Sequence, residues 1–177
     1  MGAKTQILLV IALLSGPTQA AERVDARQHS AFWLWSGVKA SNDLQNAQTV
    51  YLHQGEVLTR AGEVIFQRLG LPVSRLTFPA IWLTVRFTTL DVPQTIVPRI
   101  VRLMQRWRAA GNQVVGLQVD FDAATYQLAD YARFLQQLRQ QLPPEFALGV
   151  TGLLDWAKTG DIATLNALAV DELVVQS

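Results

Sequence analysis

The strongest constraint on this fold is that each predicted strand has two chemically different faces. The segment GLQVDFDAAT, residues 116–125, is the clearest case. Its apolar members are Leu117, Val119 and Phe121, and they alternate with Gln118, Asp120 and Asp122. Successive side chains of a strand point to opposite sides, so one face is apolar and the other carries an amide and two carboxylates. A chain that repeats this pattern needs a sheet whose two faces meet different surroundings.

The chain alternates predicted strands with predicted helices. The strands cover 31–35, 49–53, 80–87, 114–122, 146–151 and 172–176. Apolar stripes at helical spacing predict helices over about 91–111, with Asp91 as the cap, 125–142 and 161–169. The stretch 55–70 favours a β-hairpin inserted after the second strand, because Gly62 would interrupt a helix. This order is typical of an α/β protein with a parallel sheet.

The two-faced strands favour a TIM-type (β/α) barrel over a doubly wound sheet. A doubly wound sheet has helices on both faces and needs apolar residues on both. A barrel has helices outside and a mixed lumen that opens at the carboxyl ends of its strands. A complete barrel takes about 250 residues, and this chain has 177. We therefore expect a partial, truncated barrel of about six parallel strands with outer helices, forming one domain over 21–177.

Residues 1–20 have the pattern of a secretory signal peptide. Lys4 supplies the positive charge, an apolar run follows over 7–14, and small residues precede a cleavage point after Ala20. The run is too short to span a bilayer. We expect a periplasmic or secreted protein with no stable membrane span after cleavage.

Composition excludes several classes of function. The chain has no cysteine, which rules out disulfides and thiolate chemistry. Lys4 is the only charged residue of the predicted leader, so removal of the leader leaves 14 basic and 14 acidic side chains. A net charge of zero argues against nucleic acid as a partner.

On the barrel interpretation, polar and aromatic side chains from five strands meet at the rim of the lumen. They are Trp33, Trp35, His53, Arg86, Gln118, Asp120, Asp122 and Gln176. Two close carboxylates repel, so one should hold its proton while the other stays ionised, as acid–base catalysis requires. Arg86 is expected to tune the pair, and the remaining residues are predicted to bind substrate, with the two tryptophans stacking on sugar rings.

Several candidate residues also have structural interpretations. Asp122 could be the N-cap of the helix that follows it, and Asp120 could form an ion pair with Arg86. His53 could be an ordinary hydrogen-bonded histidine. The indoles of Trp33, Trp35 and Trp82 could belong to a core. His53, Asp120 and Asp122 have the ligand types of a metal site, although their spacing is not diagnostic. No cofactor is expected.

Five segments carry a resemblance to a known family. AFWLW, VYLHQGEV, WLTVRF, GLQVDFDAAT and LGVTGLLDW occur in this order over nearly all of 31–177. They resemble a family of secreted bacterial proteins, domain of unknown function 3142. The resemblance implies similarity to glycoside-hydrolase-like barrels and a chain longer than this one.

GLQVDFDAAT is also similar to the DxDxE signature of chitinase-like glycosidases. Asp120 and Asp122 match its two aspartates, and Ala124 stands where the signature has its catalytic glutamate. Alanine cannot donate a proton, so this likeness does not carry chitinase activity over to the chain.

Together these observations favour a secreted, glycoside-hydrolase-like barrel that acts on a glycan or another small polar substrate. Asp120 and Asp122 would be its acid–base pair. The absent acid at Ala124 favours a second hypothesis, a non-catalytic glycan-binding or envelope-assembly module. A metal-dependent hydrolase is the third hypothesis.

Overall fold

The fold is an α/β sheet curled into a half-barrel, with helices on one face. A computed structural model describes residues 28–38, 42–153, 156 and 162–176. The predicted signal peptide over 1–20 lies outside the described residues. No helix among the described residues is long and apolar enough to cross a membrane.

Within the described ranges the sheet has seven strands. They are β1 (Ala31–Leu34), β2 (Thr49–Arg60), β3 (Glu63–Arg68), β4 (Ala80–Phe87), β5 (Val114–Asp120), β6 (Ala147–Leu153) and β7 (Glu172–Gln176). The helices are α1 (Ile96–Ala109), α2 (Leu128–Gln141) and α3 (Ile162–Asn166), with short 3₁₀ turns at Asn42–Asn46 and Thr125–Gln127. The strand order is β1-β2-β4-β5-β6-β7, every neighbouring pair is parallel, and β3 joins β2 antiparallel.

The hairpin is continuous with the second predicted strand. β2 runs on to Arg60, where the prediction ends the strand at His53. The chain then turns through Ala61 and Gly62, at φ 52° and 82°, into β3. The two strands of the hairpin are therefore β3 and residues 55–60 of β2, so the hairpin continues β2 and is not a separate insertion.

Helix α1 begins later than the sequence suggests. Its N-cap is Thr95, so the prediction that Asp91 caps the helix is wrong. Pro98 fits within the first turn because the N–H groups there have no partner inside the helix. Past the end of α1, Gly111 adopts a φ of 90°, a left-handed conformation that glycine adopts readily.

The aliphatic face of the parallel strands packs with α1 and α2 into one core. Val50, Leu52, Ile81, Leu83, Val85, Leu117, Val119, Leu148 and Val150 are each at most 1% exposed. Trp107 from α1 and Leu135 from α2 are fully buried in the same cluster. Tyr51 and Trp82 are also buried but lie outside this cluster, because their side chains project from the opposite face.

Two hydrogen bonds across that opposite face measure how strongly the sheet is curled. The Trp33 indole N–H on β1 donates to Gln118 Oε1 on β5 at 2.9 Å. The Tyr51 hydroxyl on β2 donates to Glu172 Oε1 on β7 at 3.0 Å. On a flat sheet, with strands about 4.8 Å apart, β2 and β7 would be separated by roughly 19 Å, beyond the reach of both side chains. The polar and aromatic face is therefore concave, in agreement with the barrel interpretation.

Two glycines make room for the Trp82 indole on the concave face. A Cβ on Gly116 would clash with the backbone oxygen of Ala147 and lie 2.8 Å from the Trp82 ring. A Cβ on Gly149 would lie 3.1 Å from the same ring and 3.4 Å from Glu172 Oε2, with no backbone atom among these nearest neighbours. At Gly116 the clash with backbone cannot be relieved by moving a side chain. At Gly149 small shifts of the Trp82 and Glu172 side chains can make room for a methyl group.

We expect both alanine substitutions to destabilise the fold, and to different extents. Gly149→Ala should lower the free energy of unfolding by about 1 kcal/mol, and Gly116→Ala by about 3 kcal/mol, as overpacking costs of this kind do. Urea unfolding monitored by circular dichroism measures both values. Equal losses, or a larger loss at Gly149, would contradict the assigned packing of Trp82.

Candidate functional site

Three aromatic rings form a row on the concave face. The Trp33 and Tyr51 ring centroids lie 4.6 Å apart at an interplanar angle of 17°, and those of Tyr51 and Trp82 lie 6.3 Å apart at 21°. Trp33 is half-buried, whereas Tyr51 and Trp82 are only 5% and 6% exposed. Only the Trp33 ring of this row is partly accessible to solvent, and it stacks on Tyr51, which in turn stacks on Trp82.

Gln118 fixes the accessible end of this row. Its Oε1 accepts hydrogen bonds from Trp33 Nε1 at 2.9 Å and from the Thr84 hydroxyl at 3.0 Å. Gln118 is fully buried, and its Nε2 has no hydrogen-bond partner among the described atoms. A buried donor without a partner is costly, so a water molecule or a ligand hydroxyl that reached this amide would be stabilised.

Asp120 ends β5 and is buried against the neighbouring strand. The residue is 4% exposed, and its Oδ1 accepts a 2.8 Å hydrogen bond from the Thr151 hydroxyl on β6. Arg86 is its register partner on β4 but pairs with another carboxylate, so the suggested ion pair between Asp120 and Arg86 is wrong. Burying a carboxylate costs free energy even when a hydroxyl donates to it, so Asp120 is a candidate functional residue.

Asp122 lies beyond the end of β5, so the prediction of a strand reaching residue 122 is wrong. Its side chain is 57% exposed, and its Oδ2 accepts a 3.2 Å hydrogen bond from Arg86 Nη2. The N-cap of the following 3₁₀ turn is Ala124, whose N–H donates to the Gln127 side chain at 3.1 Å, so Asp122 is not the helix cap. The two aspartates therefore have different surroundings, and their predicted sharing of a proton stays a prediction.

His53 and Trp35 line a pocket of about 290 Å³ beside the end of β1. His53 is 3% exposed, its Nδ1 lies 3.0 Å from Ser36 Oγ, and its ring centroid lies 4.9 Å from that of Trp35. The Nε2 atom has no partner within the described part of the chain. Burial lowers the pKa of His53 below its ordinary value. The rest of the lining consists of Leu34, Gly37, Val38, Leu52, Gly70 and Leu71.

Glu56 joins the site through a β-bulge that the sequence does not predict. His53 is in register with Thr84, but Gly55 is already in register with Val85, so one extra residue lies between them. The extra residue reverses which side chains of β2 face the concave side from that point on. Glu56 therefore lies beside Arg86 on the concave face. Its negative charge partly opposes the effect of burial on the pKa of His53. A glycine inside a strand pattern is the only signal of the bulge in the sequence.

Other concave-face residues follow from strand parity but are not among the predicted site residues. They are Tyr51, Thr84, Thr151 and Glu172. Burial, and then the hydrogen bond to Glu172, raise the pKa of Tyr51 far above its ordinary value. The backbone of Gln176 belongs to β7, but its side chain lies outside the described residues, so its predicted role in substrate binding stays a prediction.

His53, Asp120 and Asp122 do not form a metal-binding cluster. Over the ranges that the structure describes, no three His, Cys, Asp or Glu side chains are arranged to hold a metal ion. Instead Asp120 bonds Thr151, and Asp122 bonds Arg86. The three residues on which the hypothesis of a metal-dependent hydrolase is based are therefore not arranged as metal ligands.

Comparison with known proteins identifies one family. The family described as Domain of unknown function (DUF3142) matches residues 74–177, more than half of the chain. The matched range begins before β4 and includes Arg86, Gln118, Asp120 and Asp122, whereas β1 and β2 lie before it. No curated protein and no solved structure matches the chain significantly.

The buried His53 predicts a loss of stability on acidification. Because burial keeps its folded-state pKa below the ordinary 6.5, the unfolded chain takes up a proton first as the pH falls. The contribution of His53 to stability is therefore complete above about pH 6.5 and is lost as the pH falls from there through the folded-state pKa. When the free energy of unfolding is measured in urea across this pH range, it should decline less steeply in His53→Gln than in the wild-type protein.

The exposed histidine provides the control for this measurement. His29→Gln changes the same residue type at an exposed position and should leave the decline of the wild-type protein unchanged. A His53→Gln curve parallel to that of the wild type would show that His53 does not carry the effect.

Proposed function

This chain belongs to the family described as Domain of unknown function (DUF3142), and we propose that it is a carbohydrate-active protein with glycoside-hydrolase-like activity on a glycan. Its site would be the concave face and the neighbouring strand ends. The ligand class follows from the chemistry of that surface, since no characterised relative supplies it.

The observation that carries the proposal is that side chains of the concave face combine stacked rings with buried polar atoms that have no described partner. Sugars present apolar C–H faces and many hydroxyls, so they need flat aromatic surfaces beside hydrogen-bonding groups. Trp33 and Trp35 are half-buried aromatic surfaces of this kind. His53 Nε2 and Gln118 Nε2 are buried polar atoms without a partner in the described region. The pocket beside Trp35 has a volume of about 290 Å³, just below the range typical of ligand sites, which begins at about 300 Å³.

The two aspartates receive different roles in this proposal. Asp120 is shielded from water and hydrogen bonded to Thr151, so it is the group we assign to proton transfer. Asp122 is exposed and paired with Arg86, so it serves as the carboxylate that stabilises positive charge near the sugar. Glu56 stands in register with Arg86 and is a further acid within the same rim.

A second candidate function is glycan binding without catalysis. Ala124 occupies the position of the catalytic glutamate in the chitinase-like pattern, and it forms the N-cap of a 3₁₀ turn. A protein of this class would use the aromatic row and the amide of Gln118 to hold a glycan. The carboxylates would then bind sugar hydroxyls and would not transfer a proton.

The proposal extends to the form of the domain and to its location. Leu173 and Val175 on the edge strand β7 are 43% and 49% exposed, although their strand parity is that of the covered apolar face. We take these side chains, and the edge of β7 that pairs with no described strand, as support for a half-barrel that belongs to a closed (β/α) barrel. The leader pattern over 1–20 supports export of the protein to the periplasm or beyond.

Substitution of Asp120 tests catalysis directly. Asp120→Asn preserves the shape of the side chain and an oxygen that can accept from Thr151, but it removes the ionisable group. Turnover of chitooligosaccharides, cello-oligosaccharides or peptidoglycan fragments, followed by chromatography, should fall by about 100-fold or more, as loss of a general acid does. Binding of the same oligosaccharide, measured by calorimetry, should change by less than about threefold, because the sugar contacts remain.

Asp130→Asn is the matched control, because Asp130 is an exposed carboxylate on α2 whose ion pair with Arg133 is solvent-exposed. It should leave turnover unchanged. Oligosaccharide binding without turnover, unaffected by Asp120→Asn, would favour the non-catalytic candidate. Failure of the wild-type chain to bind or cleave any of these oligosaccharides would contradict both functions.

Export predicts a defined mature protein. When the whole chain is expressed in a bacterium, its secreted or periplasmic form should begin at Ala21, as found by intact-mass spectrometry. Ala20→Leu places a bulky residue at the cleavage point and should block processing, whereas Ala3→Leu should not. Recovery of the wild-type chain uncleaved in the cytoplasm would contradict the location.

A further inference from the structure

Four arginines surround a pocket on the helix-covered side of the half-barrel, between β3 and α1. The lining of this arginine pocket consists of Phe66, Arg68, Arg99, Arg102, Leu103 and Arg106, and its volume is about 380 Å³. Arg99, Arg102 and Arg106 follow one another at intervals of three and four residues, which places them on one face of α1. Arg68 is the last residue of β3, so the hairpin brings the fourth charge to the helix.

Two of these guanidinium groups are held in place by the protein. Arg68 Nη1 donates to Gln54 Oε1 at 2.9 Å, and Gln54 is fully buried and also accepts from Trp107 Nε1 at 2.7 Å. Arg99 Nη2 donates to the backbone oxygen of Phe66 at 3.3 Å, and the group lies 5.9 Å from the Phe66 ring centroid. Each retains further N–H donors, because a guanidinium has five.

The charges of the pocket are not neutralised by the described part of the chain. Its ion pairs use Arg86, Arg108, Arg133 and Arg139, and none includes an arginine of the pocket. Burial, and then the positive charge of Arg106, lower the pKa of Arg68, so Arg68 and Arg106 repel each other. Solvent screens part of this repulsion at exposed side chains, and an anion between the guanidinium groups would relieve the rest.

We propose that the arginine pocket binds a phosphate group, either free or as a phosphomonoester on a larger molecule. Planar guanidinium forks match the oxygens of phosphate and form paired, charge-assisted hydrogen bonds with them. Several arginines around one cavity fit a compact, doubly charged anion better than a single carboxylate. The four arginines are exposed to solvent, and so reachable by an anion, whereas Phe66 and Leu103 form a buried apolar floor beneath them. This inference does not depend on the glycan site, because its residues lie on the opposite side of the sheet.

Calorimetric titration of inorganic phosphate into the full chain tests the proposal. Ionic strength is kept constant with chloride, so that general screening does not change. The wild-type chain should bind phosphate at one site. Arg102→Gln combined with Arg106→Gln should raise the dissociation constant by about tenfold or more, the usual effect of losing charge-assisted contacts.

Arg108→Gln is the matched control. It removes an arginine from the same helix, but Arg108 lies over the Phe146 ring and faces Glu145, away from the pocket. Phosphate binding should be unchanged in this variant, and circular dichroism should confirm that every variant is folded. Equal weakening by Arg108→Gln and by the pocket substitutions would mean non-specific charge attraction and would overturn the proposal.

Lipid vesicles distinguish a free anion from a headgroup. Vesicles of phosphatidylcholine with phosphatidic acid present a phosphomonoester, and vesicles of phosphatidylcholine alone do not. Sedimentation with the first only, lost in the doubly substituted variant, would support the pocket and identify a lipid source. Binding of inorganic phosphate without sedimentation would support a soluble source. Absence of both, or binding that survives the double substitution, would overturn the proposal.

Discussion

The curl of the sheet is the constraint on which the rest of this structure depends. A flat sheet would leave the tryptophan and tyrosine rings of its polar face side by side in water. Curling brings strands four positions apart within reach of one hydrogen bond, from Tyr51 to Glu172, and buries the rings between them. Gly116 and Gly149 permit this because they leave the space that the Trp82 ring occupies. The helices are then free to cover the aliphatic face alone.

Strand parity can be predicted from the sequence, but strand ends cannot. Alternation with a period of two is a local property, so the residue pattern alone assigns Gln118 and Asp120 to the correct face. The end of β5 depends on long-range partners. Residues 116–125 do not reveal that Asp122 lies beyond the strand, where it pairs with Arg86, 36 residues away. The wrong prediction of Asp91 as a helix cap has the same cause, since the start of α1 at Ile96 depends on its packing.

The composition of the site is only partly visible in the sequence for the same physical reason. Thr151 is 31 residues from Asp120, and their hydrogen bond follows from the pairing of β5 with β6. Counting along an unbroken strand assigns Glu56 to the wrong face. The extra residue of the bulge is Gln54, whose side chain accepts a hydrogen bond from Trp107, 53 residues away. Alternation identifies the members of a face only while the register is continuous.

Gln54 also joins two surfaces that lie on opposite sides of the sheet. Its Oε1 accepts from Arg68 in the arginine pocket, and its Nε2 donates to the backbone oxygen of His53, whose ring lines the pocket beside Trp35. A displacement of the Arg68 guanidinium therefore acts on the same amide that positions the backbone of His53. By thermodynamic linkage, a ligand at one pocket that changed the affinity of the other pocket would have its own affinity changed by the same factor.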